Sequence, residues 1–152
     1  MTKVIVLQGN DDTGKTQTLK KVIELLLQYK ARLINFSNNF AKWLHGDQVA
    51  DIWAIMEYNG QIIYITTAGD FPKIIRETFN NALQISKKTI TDIDVYVGAI
   101  HTTPLAKETI HEIAQKMRNA NIQIIDKAIA CNPADLEICN QSDASQIFNL
   151  IH

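Results

Sequence analysis

Val4-Ile5-Val6-Leu7-Gln8-Gly9-Asn10-Asp11-Asp12-Thr13-Gly14-Lys15-Thr16 is a short apolar run followed by glycine, four residues and Gly-Lys-Thr. A run like Val4 to Leu7 is the kind buried in a parallel sheet. Leu19, Val22, Ile23 and Leu26 then recur at helical spacing, so strand, loop and helix follow in the order a phosphate-binding loop requires. A triphosphate needs many hydrogen-bond donors and positive potential without a wall of side chains. Backbone N–H groups at a helix N-terminus provide both. Gly9 and Gly14 supply the unusual φ angles. Asn10, Asp11, Asp12 and Thr13 form the body of the cradle, and Gln17 follows in the first helical turn. Lys15 is expected to reach the β- and γ-phosphates, and the Thr16 hydroxyl to join the coordination of a Mg²⁺ ion.

These residues resemble the P-loop NTPase superfamily. The resemblance covers the first sixth of the chain and implies a three-layer α/β fold, with the loop at the carboxyl end of a mainly parallel sheet. It also implies a nucleoside triphosphate, ATP or GTP, held with Mg²⁺. Asp11 and Asp12 depart from the family, which often carries glycine or small residues there. Beside a triphosphate their carboxylates must turn outward or engage the metal or a cationic partner.

A length of 152 residues suits one domain with a real core, so residues 1–152 are read as a single domain. With 46% hydrophobic residues, 20% charged residues and a net charge of −1, composition gives no electrostatic case for nucleic acid or an anionic membrane. No apolar run reaches membrane-spanning length and a core strand begins almost at once, so the expected location is cytoplasmic. Cys131 and Cys139 form no CxxC pair and are expected to be isolated reduced thiols.

The first helix is expected from Lys15 to about Tyr29, followed by a strand over Arg32 to Phe36. Residues 37–46 read as irregular, with one helical turn at Phe40 to Leu44. That connection has the length of a lid or switch, or else Phe40, Trp43 and Leu44 cover an edge of the core. Periodicity leaves residues 51–58 open between helix and strand. Asn59-Gly60, a strong two-residue hairpin turn ahead of the strand-like Gln61 to Thr66, favours an antiparallel hairpin. Pro72 and Pro104 each suit a first helical turn, with a strand over residues 93–100 between those helices. A last strand covers Ile122 to Ile125 with a continuation toward Ala130, and Ile147, Leu150 and Ile151 suggest a short terminal helix.

Thr66-Thr67-Ala68-Gly69-Asp70 ends the second hairpin strand and is similar to the Asp-x-x-Gly switch of Ras-like GTPases, with Thr66 where their aspartate stands. The resemblance implies that Gly69 presents its N–H to the γ-phosphate, that Asp70 orients the attacking water, and that Thr66 or Thr67 reaches the metal through water. The alternative role for Asp70 is to cap the following helix. The guanine-reading Asn-Lys-x-Asp motif is absent; Ala99-Ile100-His101-Thr102-Thr103 occupies its place, which makes adenine the default. His101 lies at the strand edge where open sheets bind ligands. Nucleoside and nucleotide kinases share the phosphate loop but add an arginine lid. Arg32, Arg76 and Arg118 are not clustered, and Arg76 alone lies one turn beyond Asp70.

The expected function is binding of Mg²⁺-ATP, less so Mg²⁺-GTP, with slow hydrolysis or phosphoryl transfer in which Lys15 and Asp70 are catalytic. Two alternatives stand beside it. One is a nucleotide-controlled switch or degenerate scaffold acting through a protein partner, with Phe40, Trp43 and Trp53 as exposed aromatics; the other is a small kinase-like enzyme.

Overall fold

The computed structural model describes residues 2–10, 14–127 and 133–152. The chain runs β1 (Lys3–Gln8), α1 (Lys15–Gln28), β2 (Arg32–Phe36), α2 (Phe40–Leu44), β3 (Trp53–Tyr58), β4 (Gln61–Thr66) and α3 (Pro72–Ile85), then β5 (Val95–Ile100), α4 (Pro104–Lys116), β6 (Asn121–Asp126) and α5 (Leu136–Ile151). The six strands form one sheet in the order β2-β3-β4-β5-β1-β6. β1 pairs in parallel with β5 and β6, and β4 with β5, while β3 runs against both of its neighbours. This is the mainly parallel α/β sheet with one antiparallel hairpin that the sequence implied.

Asn59 and Gly60 take φ of 52° and 77°, the left-handed pair that a type I′ turn needs, and they set the register Tyr58↔Gln61 through Trp53↔Thr66. That register resolves the ambiguity of residues 51–58 in favour of a strand. It also brings the start of β3 to the same edge as the end of β4.

Helices cover both faces of the sheet. α1, α2 and α5 enclose one apolar cluster, built on Leu19, Val22, Ile23, Phe40, Trp43, Ile147 and Phe148. α3 and α4 enclose the other with Ile75, Phe79, Ala106 and Ile110. Val4 to Leu7, sandwiched between strands and between layers, are entirely buried. Pro72 opens α3, and Pro104 opens α4, where Thr103 Oγ1 accepts from Ala106 N at 3.2 Å as the cap.

Several expectations are corrected. The terminal helix is 16 residues, not short. Apart from Asn140, its buried residues are the apolar Ala144, Ile147, Phe148 and Ile151, so a full helix is stabilised by one mainly apolar stripe. Phe40, Trp43 and Trp53 are buried and not exposed, because α2 folds Phe40 and Trp43 inward against one core cluster and β3 carries Trp53 into the other. Arg76 faces Glu112 on α4, with Nη2 3.0 Å from Oε2, and so stands between two helices away from the site. Cys139 is disulfide-bonded and not a reduced thiol; Cys131, the other cysteine, lies outside the described residues. The expected continuation of the last strand toward Ala130 also falls outside them. Among the described residues no helix is long and apolar enough to cross a membrane.

Candidate functional site

The loop after β1 delivers the chain to α1 at the carboxyl edge of the sheet. Gly9 N donates to Ile100 O at 3.2 Å, which ties the loop's first residue to the end of β5. Gly14 has φ 82° and ψ 20°, a left-handed conformation, and acts as N-cap of α1 with no side chain capping it. The first turn of α1 contains no acidic residue. Among the described residues no side chain caps its N–H groups, and N–H groups at a helix start are the local chemistry of an anion site. Lys15 Nζ donates to the carbonyls of Gly9 and, at 3.2 Å, Asn10, so the ammonium lies over the loop itself. Asp11, Asp12 and Thr13 lie outside the described residues.

Thr16 and Gln17 are exposed and line a cleft of about 570 Å³ together with Gly14, Lys15 and Lys20. The same cleft is lined by the carboxylates of Asp47 and Asp51 from the segment before β3 and of Asp70 before α3, and by Thr67 and His101. The cleft thus carries both cationic and anionic side chains.

Asp51 is the residue that sequence reasoning missed. Its signal was topological, since the antiparallel β3 must start where β4 ends. Ile52 N donates to Thr67 Oγ1 at 2.9 Å, and the Thr67 hydroxyl lies 3.3 Å from Asp51 Oδ1. Removal from water inside the cleft raises the Asp51 carboxyl above its ordinary value, repulsion from Asp70 adds to that, and the Thr67 hydrogen bond opposes it. A carboxyl raised in the folded state binds more protons folded than unfolded, so its contribution to stability falls as pH climbs from the unfolded value of 3.8 through the raised one. Asp51→Asn is therefore expected to melt above wild type at pH 7. That advantage should fade as both proteins are taken below pH ~4, and thermal melts of the pair across pH check it.

Asp70 does not cap α3, whose N-cap is Phe71. Its Oδ1 lies instead 2.8 Å from His101 Nε2, joining the loop after β4 to the tip of β5. Gly69 is buried behind this pair, and its carbonyl accepts from His101 N at 3.2 Å. Thr66 is turned away from the cleft: its hydroxyl donates to Ile52 O at 2.9 Å and accepts from Ala68 N at 3.0 Å, leaving Thr67 as the hydroxyl that faces inward. β5 separates β4 from β1, so residues 66–70 stand one strand removed from the loop after β1. His45 and His111 are exposed, as expected of surface residues.

Among the described residues no three His, Cys, Asp or Glu side chains group closely enough to hold a metal by themselves. The donor set of the Thr16 hydroxyl and the Asp51 and Asp70 carboxylates suits Mg²⁺ in its usual arrangement, in which one or two carboxylates, water and substrate phosphates share the ion. Burial is the larger cause that raises Asp51, and the repulsion from Asp70 that adds to it is what such a cation would relieve. The chain matches no protein-family profile, no curated protein and no solved structure.

Proposed function

We propose that the protein is a P-loop nucleotide-binding protein that takes a Mg²⁺-nucleoside triphosphate, ATP ahead of GTP, and turns it over slowly by hydrolysis or phosphoryl transfer. The observation that carries this reading is the start of α1 at the left-handed Gly14, which opens with Lys15 and Thr16 on a cleft also lined by Asp47, Asp51 and Asp70. The loop's N–H groups and Lys15 would hold the β- and γ-phosphates, with Lys15 leaving the carbonyls of Gly9 and Asn10 for phosphate oxygens. Thr16, Asp51 and Asp70 would hold Mg²⁺, whose contribution is to neutralise charge on the phosphates. His101, oriented by Asp70, would position water or an acceptor hydroxyl near the terminal phosphate and accept its proton.

Arg76, the arginine nearest Asp70 in sequence, pairs with Glu112 and does not line the cleft, which weakens the kinase alternative. The burial of Phe40, Trp43 and Trp53 removes them as the partner surface that the switch alternative would use.

Thermal-shift titration with ATP, GTP, ADP and GDP, each with and without Mg²⁺, tests the reading. A ligand at a hundredfold excess over its Kd stabilises the folded state by about 2.7 kcal/mol. For 152 residues that corresponds to a rise in Tm of roughly 5–10 °C. One triphosphate is expected to give such a rise with Mg²⁺, and Lys15→Ala is expected to abolish it. An unchanged rise in Lys15→Ala would overturn the assignment.

A further inference from the structure

Behind the phosphate-facing side of the loop lies a polar cluster that no catalytic role accounts for. Lys127 N donates to Gln8 O at 2.8 Å, extending the pairing of β6 with β1 by one residue, and this aims the side chain under the loop. The buried Lys127 ammonium donates to Asn140 Oδ1 at 2.6 Å and to Asp143 Oδ2 at 2.9 Å, both on α5. The same Asn140 oxygen accepts from the Thr18 hydroxyl at 3.1 Å, and that hydroxyl also lies 2.9 Å from Gly14 O. Asn140 is pressed against Gly14 so closely that a methyl group there would come within 2.5 Å of Oδ1.

Thr18, Asn140 and Lys127 are all nearly or wholly inaccessible to solvent. Burying an ammonium and an amide costs free energy that an apolar core would not, so retention of the cluster calls for a reason other than stability. Its geometry supplies one. A single amide oxygen joins the end of β6, the first turns of α1 and the terminal helix at the residue whose left-handed conformation turns the loop into α1.

We propose that Asn140 is a positioning residue for the phosphate loop, and that through it α5 controls affinity for the triphosphate. The inference rests on the nucleotide-binding reading above. Asn140 reaches no phosphate itself. It fixes Gly14 and the first turn of α1, so that the N–H groups of Lys15 and Thr16 converge without reorganising when ligand enters.

Isothermal titration of Mg²⁺-ATP and of Mg²⁺-GTP into wild type, Asn140→Ala, Thr18→Val and Thr18→Ser tests this, beside Ile110→Ala as a control in the opposite apolar cluster. Asn140→Ala is expected to raise Kd about tenfold, equivalent to one lost hydrogen bond of ~1.4 kcal/mol. Thr18→Val should raise it by less, and Thr18→Ser, which keeps the hydroxyl, should bind as wild type does. Ile110→Ala should lower Tm at least as far as Asn140→Ala while leaving Kd unchanged. Wild-type binding with an unaltered Kd in both Asn140→Ala and Thr18→Val would overturn the positioning role alone. A wild type that binds neither triphosphate would overturn the nucleotide-binding reading and this inference with it.

Discussion

Gly69→Ala is expected to cost about 4 kcal/mol or more, since the approach at Gly69 is closer than at Gly14, Gly46, Gly60 or Gly98. A Cβ at this position would lie 1.5 Å from Ala99 O, 2.5 Å from Ala99 C and 3.0 Å from Ile100 Cα. All three are backbone atoms of or next to a central strand, so no side-chain rotation relieves the overlap. Either the loop after β4 lifts off β5, breaking the bond from His101 N to Gly69 O, or β5 moves and disturbs its pairing with β1. Gly46 separates the effect of volume from that of conformation. It has φ 107°, but no atom lies within 4 Å of the place a methyl group would take, so Gly46→Ala carries conformational strain alone, of about 1–2 kcal/mol. Urea midpoints of the two variants against wild type read the difference. Against a typical total stability of ~5–15 kcal/mol, Gly69→Ala should sit near the edge of folding, while Gly46→Ala stays cooperative. Equal midpoints would mean that the close approach at Gly69 is easily relaxed.

The same contact gives Gly69 a structural role beside the one the family likeness implies. That likeness reads Gly69 and Asp70 as a functional loop and assigns Gly69 to a phosphate. Its tight packing against Ala99 gives a sufficient structural reason for glycine there. The alternative role for Asp70, capping the following helix, came from local spacing, whereas its partner, His101, is supplied by another strand and could not be seen in the local sequence.

The framework was more legible than the site because its determinants are local. The apolar runs, the prolines at the starts of α3 and α4, and Asn59-Gly60 each act within a few residues of themselves. Phe40 and Trp43 were ambiguous for the converse reason, since a one-turn helix has an inner face only once something lies beneath it. Asp51 needed the hairpin register, and Lys127, Asn140 and Thr18 needed the packing of α5 on α1 before an oxygen from one helix could be seen to serve residues far apart in the chain.

Lys127→Met is expected to cost about 3 kcal/mol, the second large effect. The substitution keeps most of the volume, so the loss is electrostatic. Asp143 is left with a carboxylate that is only 20% exposed and has lost the ammonium 2.9 Å away, and Asn140 Oδ1 retains one donor of two. Asp143→Leu should be at least as costly, because the ammonium it strands is 2% exposed and has less water to turn to. The double variant Lys127→Met/Asp143→Leu is expected to recover most of either loss, since neither charge then has to be desolvated. Guanidinium unfolding of the four proteins gives the coupling directly. Additive losses would show that the two charges act independently. Recovery of stability would leave a sharper question for nucleotide binding: in the double variant Asn140 still lacks its Lys127 donor, so a protein as stable as wild type should bind Mg²⁺-triphosphate more weakly. That separation of stability from affinity is the behaviour expected of a buried polar cluster kept for the geometry of the loop above it.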